Sequence, residues 1–175
     1  MHLSSILRRP PLVPALLLAA CVAEAPAPVR TTAPADSAAG EIGFEYAGAG
    51  EAAIVVPVVL NGQGPYDFVL DTGATVTCVD LALAEELGLE EVRGMRGIGA
   101  GATGTGQMRL VTIDSVRVGG ARAEEVIACA LDLAHVEAVG MDVDGLIGLN
   151  FLRPFRLALD FDRQVLRLTA PGALD

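Results

Sequence analysis

The chain has 175 residues, enough for one domain of ordinary size and too few for a two-lobed enzyme. Hydrophobic residues make up 52% of the sequence, alongside 20 Gly and 10 Pro, a composition that suits a packed β-rich domain and argues against a disordered chain. The net charge of −10 argues against nucleic acid as a partner.

Residues 1–20 have the pattern of a secretory signal peptide. Arg8 and Arg9 precede an apolar stretch, Leu12–Ala20, that is too short to span a bilayer. The end of this stretch, Leu-Ala-Ala followed by Cys21, resembles the bacterial lipoprotein signal (lipobox), in which cleavage leaves a lipid-modified cysteine. The resemblance implies a lipid anchor at Cys21 on the periplasmic side of the cell envelope. A plain signal peptide, with a periplasmic or secreted product, is the alternative.

The next segment, residues 21–40, is rich in Ala, Pro and Thr and has no periodic apolar face. Such a composition predicts a tether between a membrane anchor and a folded body. The body is then expected to span residues 41–175.

The body is predicted to begin with a β-hairpin. The β-branched run Ala53–Leu60 predicts a strand, in which Pro57 requires an edge position or a bulge. A Gly- and Pro-containing turn, Asn61–Pro65, leads into a returning strand, Tyr66–Leu70. Asp71 follows directly. A carboxylate at the end of a strand, with a glycine two positions later, is a candidate catalytic acid.

Further strands and a helix follow in chain order. Asp80 is expected to cap a short helix over Leu81–Leu87 that ends at Gly88. Strands are predicted over Thr75–Val79, Gln107–Ile113, Ser115–Val118 and Ala123–Leu131, and a final hairpin over 155–160 and 164–168. Because strand-helix-strand units do not repeat, the predicted fold class is all-β, mostly antiparallel, with one or two short helices.

Three stretches carry a family resemblance: Tyr66–Thr75, which contains Asp-Thr-Gly-Ala, the helix end Leu87–Leu89, and Asp144–Leu152. Together they resemble a retroviral-type (retropepsin-like) aspartic protease of the bacterial single-domain kind, over most of residues 50–168. The resemblance implies a single-lobe acid protease fold that pairs as a homodimer. It also implies that Leu146, Ile147 and Gly148 form the strand crossing behind the catalytic loop, with Gly148 leaving room for that loop.

The chemistry that this resemblance implies needs two carboxylates. Two such groups about 3 Å apart share a proton, so that one activates a water molecule and the other polarises the scissile carbonyl. The sequence contains a single Asp-Thr-Gly. An active enzyme would therefore need Asp71 from two chains facing each other across a two-fold axis. Thr72, Gly73 and Ala74 are the expected supports of the catalytic loop.

The glycine-rich stretch Gly94–Gly106 is expected to be the flap, a hairpin that covers a bound peptide, with an ordinary flexible loop as the alternative. Its expected covering residues are Ile98, Gly99, Ala100 and Gly101. Residues 99–104 also satisfy the dinucleotide pattern G-x-G-x-x-G. A phosphate site would require a helix to follow, whereas the sequence continues as a strand, so the match is interpreted as accidental.

The remaining cysteines and histidines predict no metal site and no cofactor. Cys78 and Cys129 could pair in an oxidising compartment, but two buried free thiols are favoured because both cysteines lie in apolar strands. His135 has no cysteine or second histidine at a metal-ligand spacing.

Two functions are compatible with these patterns. The favoured one is an aspartic endopeptidase that hydrolyses peptide bonds in extended polypeptides. The alternative is a catalytically inactive retropepsin-fold envelope lipoprotein that acts as a binding or assembly module.

Overall fold

A computed structural model of the chain describes residues 30–32, 41–101, 104–134 and 140–170. The strands are β1 (Arg30–Thr32), β2 (Glu41–Gly43), β3 (Glu45–Ala47), β4 (Ala53–Leu60), β5 (Gln63–Leu70), β6 (Cys78–Asp80), β7 (Glu90–Gly101), β8 (Gly104–Val118), β9 (Ala121–Leu131), β10 (Gly145–Ile147), β11 (Arg156–Asp160) and β12 (Val165–Thr169). The two short helices that lie wholly within the described residues are α1 (Leu81–Glu86) and α2 (Leu149–Leu152). The predicted all-β class with short helices is confirmed.

The strands form two sheets. In the larger one, neighbours along the sheet follow the order β1-β9-β6-β10-β5-β4-β8-β7, and β3 pairs with β4. An additional pairing of β8 with β9 curls this sheet into a barrel. Most pairs are antiparallel, while β10 with β5 and β6 with β9 are parallel. The second sheet has the order β11-β12-β2 and brings both ends of the described body together.

Alternating apolar residues of these strands fill the barrel. The largest fully buried side chains include Phe68, Phe151, Leu60, Ile113 and Ile147. They come from β4, β5, β8, β10 and α2, so one core joins elements that are distant in sequence. Burying each such side chain contributes roughly 1.5 to 3 kcal/mol.

β8 is one continuous strand where the sequence predicted two. Its buried side chains belong to odd-numbered residues up to Ile113 and to even-numbered residues from Val116 onward. At this point the side chain of Asn61 accepts a hydrogen bond from the Ser115 amide at 3.0 Å, and the Asn61 amide donates to the Ser115 carbonyl at 2.9 Å. In the sequence, such a change of the buried face looks like the end of one strand and the start of another. Two strands were predicted for this reason.

Pro57 lies inside the sheet at a place where its missing amide hydrogen is harmless. On one side it is aligned with Asp67 of β5. On the other side, β3 pairs with residues 53–55 of β4 and β8 pairs with residues 58–60. Pro57 thus falls between two pairing segments, which is locally an edge position.

Several predicted elements differ from the structure at their ends. The strand expected over Thr75–Val79 is wrong at its start, because β6 begins at Cys78 and the preceding residues belong to the Asp71 loop. Helix α1 begins after Asp80, whose side chain accepts a hydrogen bond from the Ala82 amide at 2.8 Å, as the sequence predicted.

The cysteine interpretation was also wrong. Cys78 and Cys129 form a disulfide, with their Cα atoms 4.4 Å apart. The two residues are aligned in the parallel pair of β6 and β9, a register that the sequence does not reveal. Buried apolar surroundings are therefore compatible with a bridge as well as with free thiols.

One segment within the predicted tether is structured. Arg30–Thr32 forms β1 and pairs antiparallel with β9, aligning Arg30 with Glu124 and Thr32 with Arg122. The predicted cleavage and lipidation site, Cys21, lies outside the described residues. Among the described residues, no helix has the length and apolar character needed to cross a bilayer.

Candidate active site

The candidate site is built where one strand passes between two others. β10 lies between β5 and β6, with Gly145 aligned to Phe68 on one side and to Val79 on the other. The loop from residue 71 to 77 therefore crosses from β5 to β6 above the end of β10. The Asp71 amide donates to the Ile147 carbonyl at 3.1 Å, which extends the β5–β10 pairing into the loop.

The Asp71 carboxylate is held in place by its own loop. Its Oδ1 atom accepts hydrogen bonds from the amides of Gly73 at 2.8 Å and Ala74 at 3.2 Å. Asp71 and Ala74 are partly buried, whereas Thr72 and Gly73 are exposed. A Cβ atom on Gly73 would lie 3.2 Å from Oδ1, so glycine permits this close approach. The arrangement orients one carboxylate and leaves it accessible from outside.

Helix α2 supports the middle of the same loop. The Leu149 amide donates to the Ala74 carbonyl at 2.8 Å, and the Asn150 amide donates to the Thr75 carbonyl at 3.1 Å. These are two of the amides at the start of the helix, which have no partner within it. The loop and the helix start thus satisfy each other's backbone groups.

Gly148 allows the loop and α2 to approach this closely. A Cβ atom on Gly148 would lie 2.6 Å from the carbonyl carbon of Val76 and 2.9 Å from the Thr77 nitrogen. Such distances are far below van der Waals contact. The resemblance placed Gly148 in the strand behind the catalytic loop, whereas β10 ends at Ile147 and Gly148 is the residue that precedes α2.

A polar pair that the sequence did not single out fixes the end of the loop. The side chain of Thr77 is fully buried, donates to Asn150 Oδ1 at 2.9 Å and accepts from the Gly148 amide at 3.1 Å. Asn150 Oδ1 also accepts from the Thr77 amide at 2.8 Å, and its Nδ2 donates to the Ile127 carbonyl at 2.7 Å. The only sequence signal was an asparagine two residues after the glycine that follows β10.

The glycine-rich segment forms a β-hairpin from β7 and β8. In it, Ile98 is aligned with Gln107, Gly99 with Gly106 and Gly101 with Gly104. The segment matching G-x-G-x-x-G thus runs from one strand into the next and not into a helix. The backbone of Ala100 is likewise in β7, aligned with Thr105.

At the base of this hairpin lies a cluster of charges. The guanidinium of Arg109 bonds to Glu85 at 2.9 Å and to Glu91 at 3.4 Å. The hydrogen bond with Glu85 raises the pKa of Arg109, and the bond with Glu91 acts in the same direction. A shallow cavity of about 410 Å³ between α1 and the hairpin base is lined by these three side chains together with Leu81 and Val111, among others.

The predicted site residues therefore fall into separate groups. The structure brings Asp71, Thr72, Gly73 and Ala74 together with Leu146, Ile147 and Gly148, while Ile98, Gly99, Ala100 and Gly101 lie in the hairpin. In the part of the chain that the structure describes, no group of three or more His, Cys, Asp or Glu side chains is placed to hold a metal ion.

The structure thus combines a closed β-sheet with an Asp-Thr-Gly loop above an inserted strand. A sequence profile described as aspartyl protease matches residues 56–151, more than half of the chain, and the chain belongs to that family. No curated protein shows significant similarity to it.

The solved structures that are similar to this chain include the following two. The crystal structure of a retropepsin-like aspartic protease from Rickettsia conorii aligns with a TM-score of 0.52 and 21% identity, covering 81% of this chain and 95% of that one. The retroviral protease-like domain of Ddi1 from Leishmania major aligns with a TM-score of 0.44 and 18% identity, covering 70% and 97%. The first of these likenesses confirms the expected retropepsin-like fold.

Proposed function

We propose that the protein is an aspartic endopeptidase that hydrolyses peptide bonds in extended polypeptides. One observation carries the proposal: in a chain of the aspartyl protease family, the carboxylate of Asp71 is oriented by the amides of Gly73 and Ala74 and remains accessible. A carboxylate that is held rigidly but not covered can act on a water molecule and a substrate carbonyl.

The proposed mechanism requires a homodimer. Two copies of Asp71 would meet across a two-fold axis and share one proton, because two carboxylates that close cannot both be ionised. The ionised member takes a proton from the attacking water, and the protonated member donates a hydrogen bond to the scissile carbonyl. The single Asp-Thr-Gly of the sequence supports this arrangement.

The β7–β8 hairpin is the proposed substrate cover. An extended peptide would lie between the hairpin and the two Asp71 loops, bonded through its backbone like an added strand. Closure of the hairpin would exclude bulk water from the reacting groups.

The proposed location is the periplasmic side of a bacterial cell envelope, with a lipid anchor at Cys21. The signal-like residues 1–20 and the lipobox support this location. The Cys78–Cys129 disulfide adds support, because such bridges persist in oxidising compartments.

The test is peptide cleavage by the chain from Val22 onward, between about pH 3 and pH 8, with the mass in solution measured in parallel. We expect a dimer that cleaves, and an Asp71→Asn variant whose kcat/KM is lower by at least about 1,000-fold. Asp67→Asn is the matched control, because it removes an exposed carboxylate four residues earlier along β5.

The outcomes separate the two functions. A monomer that cleaves nothing at any pH would reject the protease and favour a binding or assembly module with the same fold. Equal loss of activity in Asp71→Asn and Asp67→Asn would reject Asp71 as the catalytic group.

A further inference from the structure

The β7–β8 hairpin is made of two arms with different registers. In the base arm, Glu90 is aligned with Thr112 and Glu91 with Val111. In the distal arm, the pairing runs from Arg96 with Arg109 to the end of the hairpin. Between the arms, β7 contains four residues, 92–95, where β8 contains only Leu110. This bulge separates two independently paired ribbons and is a natural point of bending.

Neighbouring strands support only the base arm. β9 pairs with β8 from Arg109, aligned with Ala130, to Val118, aligned with Ala121. Residues 104–108 lie before the first of these pairs and are aligned with β7 alone. The distal arm is therefore a two-stranded ribbon that extends beyond the barrel, and Arg109 lies at its junction with the barrel.

The side chain of Arg109 connects three elements at this junction. Its Nη2 atom is 2.9 Å from Oε1 of Glu85, on α1, and its Nη1 atom is 3.4 Å from Oε1 of Glu91, in the base arm of β7. Helix α1 is itself fixed to the barrel through the buried side chains of Leu83 and Ala84. Arg109 thus joins the start of the distal arm to two parts of the fixed barrel.

We propose that Arg109, through Glu85 and Glu91, sets the direction in which the distal arm projects over the catalytic loops. We call these three side chains the Arg109 clamp. The inference rests on the proposed function, in which this hairpin covers the substrate. Arg109 acts through the hairpin and is a positioning residue, not a catalytic one.

Because the clamp lies at the base of the distal arm, it can affect the orientation of the arm more than the strength of its ion pairs suggests. At about 3.3 Å per residue, the distal arm is about 20 Å long, so a rotation of about 15° at the junction moves its end by about 5 Å. The ion pairs themselves are weak, because 45% of Arg109, 66% of Glu85 and 59% of Glu91 is exposed. We therefore expect a graded effect on the hairpin's orientation and no effect on the fold.

The clamp should affect the kinetics through the fraction of molecules in each hairpin orientation. Without the clamp, a smaller fraction of molecules holds the hairpin in the orientation that accepts substrate, and apparent affinity falls by that fraction. KM should therefore rise by about 2- to 5-fold, a range set by the strength of exposed ion pairs. The turnover number kcat should change by less than about 2-fold, since the Asp71 loop is fixed by other contacts.

The first experiment is amide hydrogen exchange on the wild type and Arg109→Gln. We expect exchange to be about 3-fold faster at residues 96–101 and 104–108, and unchanged in the rest of β8 and in β9. Arg122→Gln is the matched control: Arg122 pairs with Glu124 at 3.3 Å with 47% exposure, near the end of the β8–β9 pairing opposite to Arg109. Equal exchange in wild type and Arg109→Gln, or equal acceleration in the control, would overturn the clamp.

A second experiment tests the partners. Adding Arg109→Gln to a Glu85→Gln/Glu91→Gln background should cause little further change in hairpin exchange or KM, because the interaction is already lost. Salt at about 1 M should reproduce the Arg109→Gln exchange pattern in the wild type, without any substitution. The clamp would also be contradicted if Arg109→Gln had the same effect in that background as in the wild type. Hairpin exchange that does not change with salt concentration would contradict it as well.

The exchange measurements do not depend on activity. If the wild type cleaves no peptide, the proposed function fails while hydrogen exchange still decides whether the clamp exists. If the wild type cleaves and exchange is unaffected by Arg109→Gln, the clamp fails and the protease remains.

Discussion

The Asp71 loop and the distal arm of the β7–β8 hairpin are two connecting segments with opposite kinds of support. The loop is hydrogen-bonded to β10 and to α2, and its end is fixed by the bonds between the buried side chain of Thr77 and Asn150. The distal arm is aligned with a single partner strand, and exposed ion pairs of Arg109 lie at its base. The segment that holds the proposed reacting group is the better fixed of the two.

This difference matches what each segment would have to do. A catalytic carboxylate must keep its geometry to a fraction of an ångström, whereas a substrate cover must open and close. A segment with few buried contacts can open at low free-energy cost, and a segment tied to the core cannot. Three changes should alter this contrast, in decreasing order of effect, and a fourth tests ion pairs elsewhere in the molecule.

Removal of the disulfide should have the largest effect. The Cys78–Cys129 bridge closes a loop between residues 51 apart and holds β6 directly after the Asp71 loop. We expect Cys78→Ala/Cys129→Ala to lower the free energy of unfolding by about 3 to 4 kcal/mol in urea titrations. Exchange in residues 71–77 should rise toward that of the hairpin. As a control, reductant should destabilise the wild type and leave the double variant unchanged.

Gly148→Ala should break the contact between the Asp71 loop and α2. The new Cβ would collide with the backbone of Val76 and Thr77, which cannot yield as a side-chain tip can. We expect a loss of about 2 to 3 kcal/mol in the free energy of unfolding. Gly43→Ala is the control, because nothing lies within 4 Å of its Cβ position. Similar losses in both variants would contradict the packing argument.

Thr77→Val should weaken the same loop more gently. The substitution keeps the shape of the side chain but leaves the buried amide of Gly148 without its acceptor and removes a donor to Asn150. We expect the free energy of unfolding to fall by about 1 to 2 kcal/mol. Thr75→Val, at an exposed position of the same loop, should change it by less than about 0.5 kcal/mol.

Glu41→Gln should have the smallest effect and tests ion pairs that lie away from both segments. Hydrogen bonds from Arg167 and then Arg163 lower the pKa of Glu41 below its ordinary value of 4.5. A carboxylate whose pKa is lowered in the folded state stabilises the fold at pH values above its pKa in the unfolded state. This stabilisation is lost as the pH falls through the pKa of the folded state. The wild type should therefore have a slightly higher Tm than Glu41→Gln at pH 6, and the two should converge in acid. A constant difference down to about pH 2 would contradict this assignment.

Patterns of neighbouring residues predicted much of the fold. The features that they missed depend on how segments far apart in the sequence are aligned with each other. Asp80 was recognised as a helix cap because its partner, Ala82, is two residues away. Asn150 was not recognised, because its contacts with Thr77 depend on how α2 meets a loop 73 residues earlier. The disulfide was missed for the same reason. In the candidate site, Asp71 was identified from the strand before it, whereas the polar pair behind it required the structure.

The pairing of Arg30–Thr32 with β9 has a consequence for how the body would sit at a membrane. If Cys21 is acylated as proposed, the free linker is counted from Cys21 to Arg30 and not to the body's first residue. Nine extended steps reach at most about 30 Å. Two anchored copies would then be confined to a thin layer next to the bilayer, and they would form the dimer there. The substrates within reach would be polypeptide chains that emerge at the membrane surface.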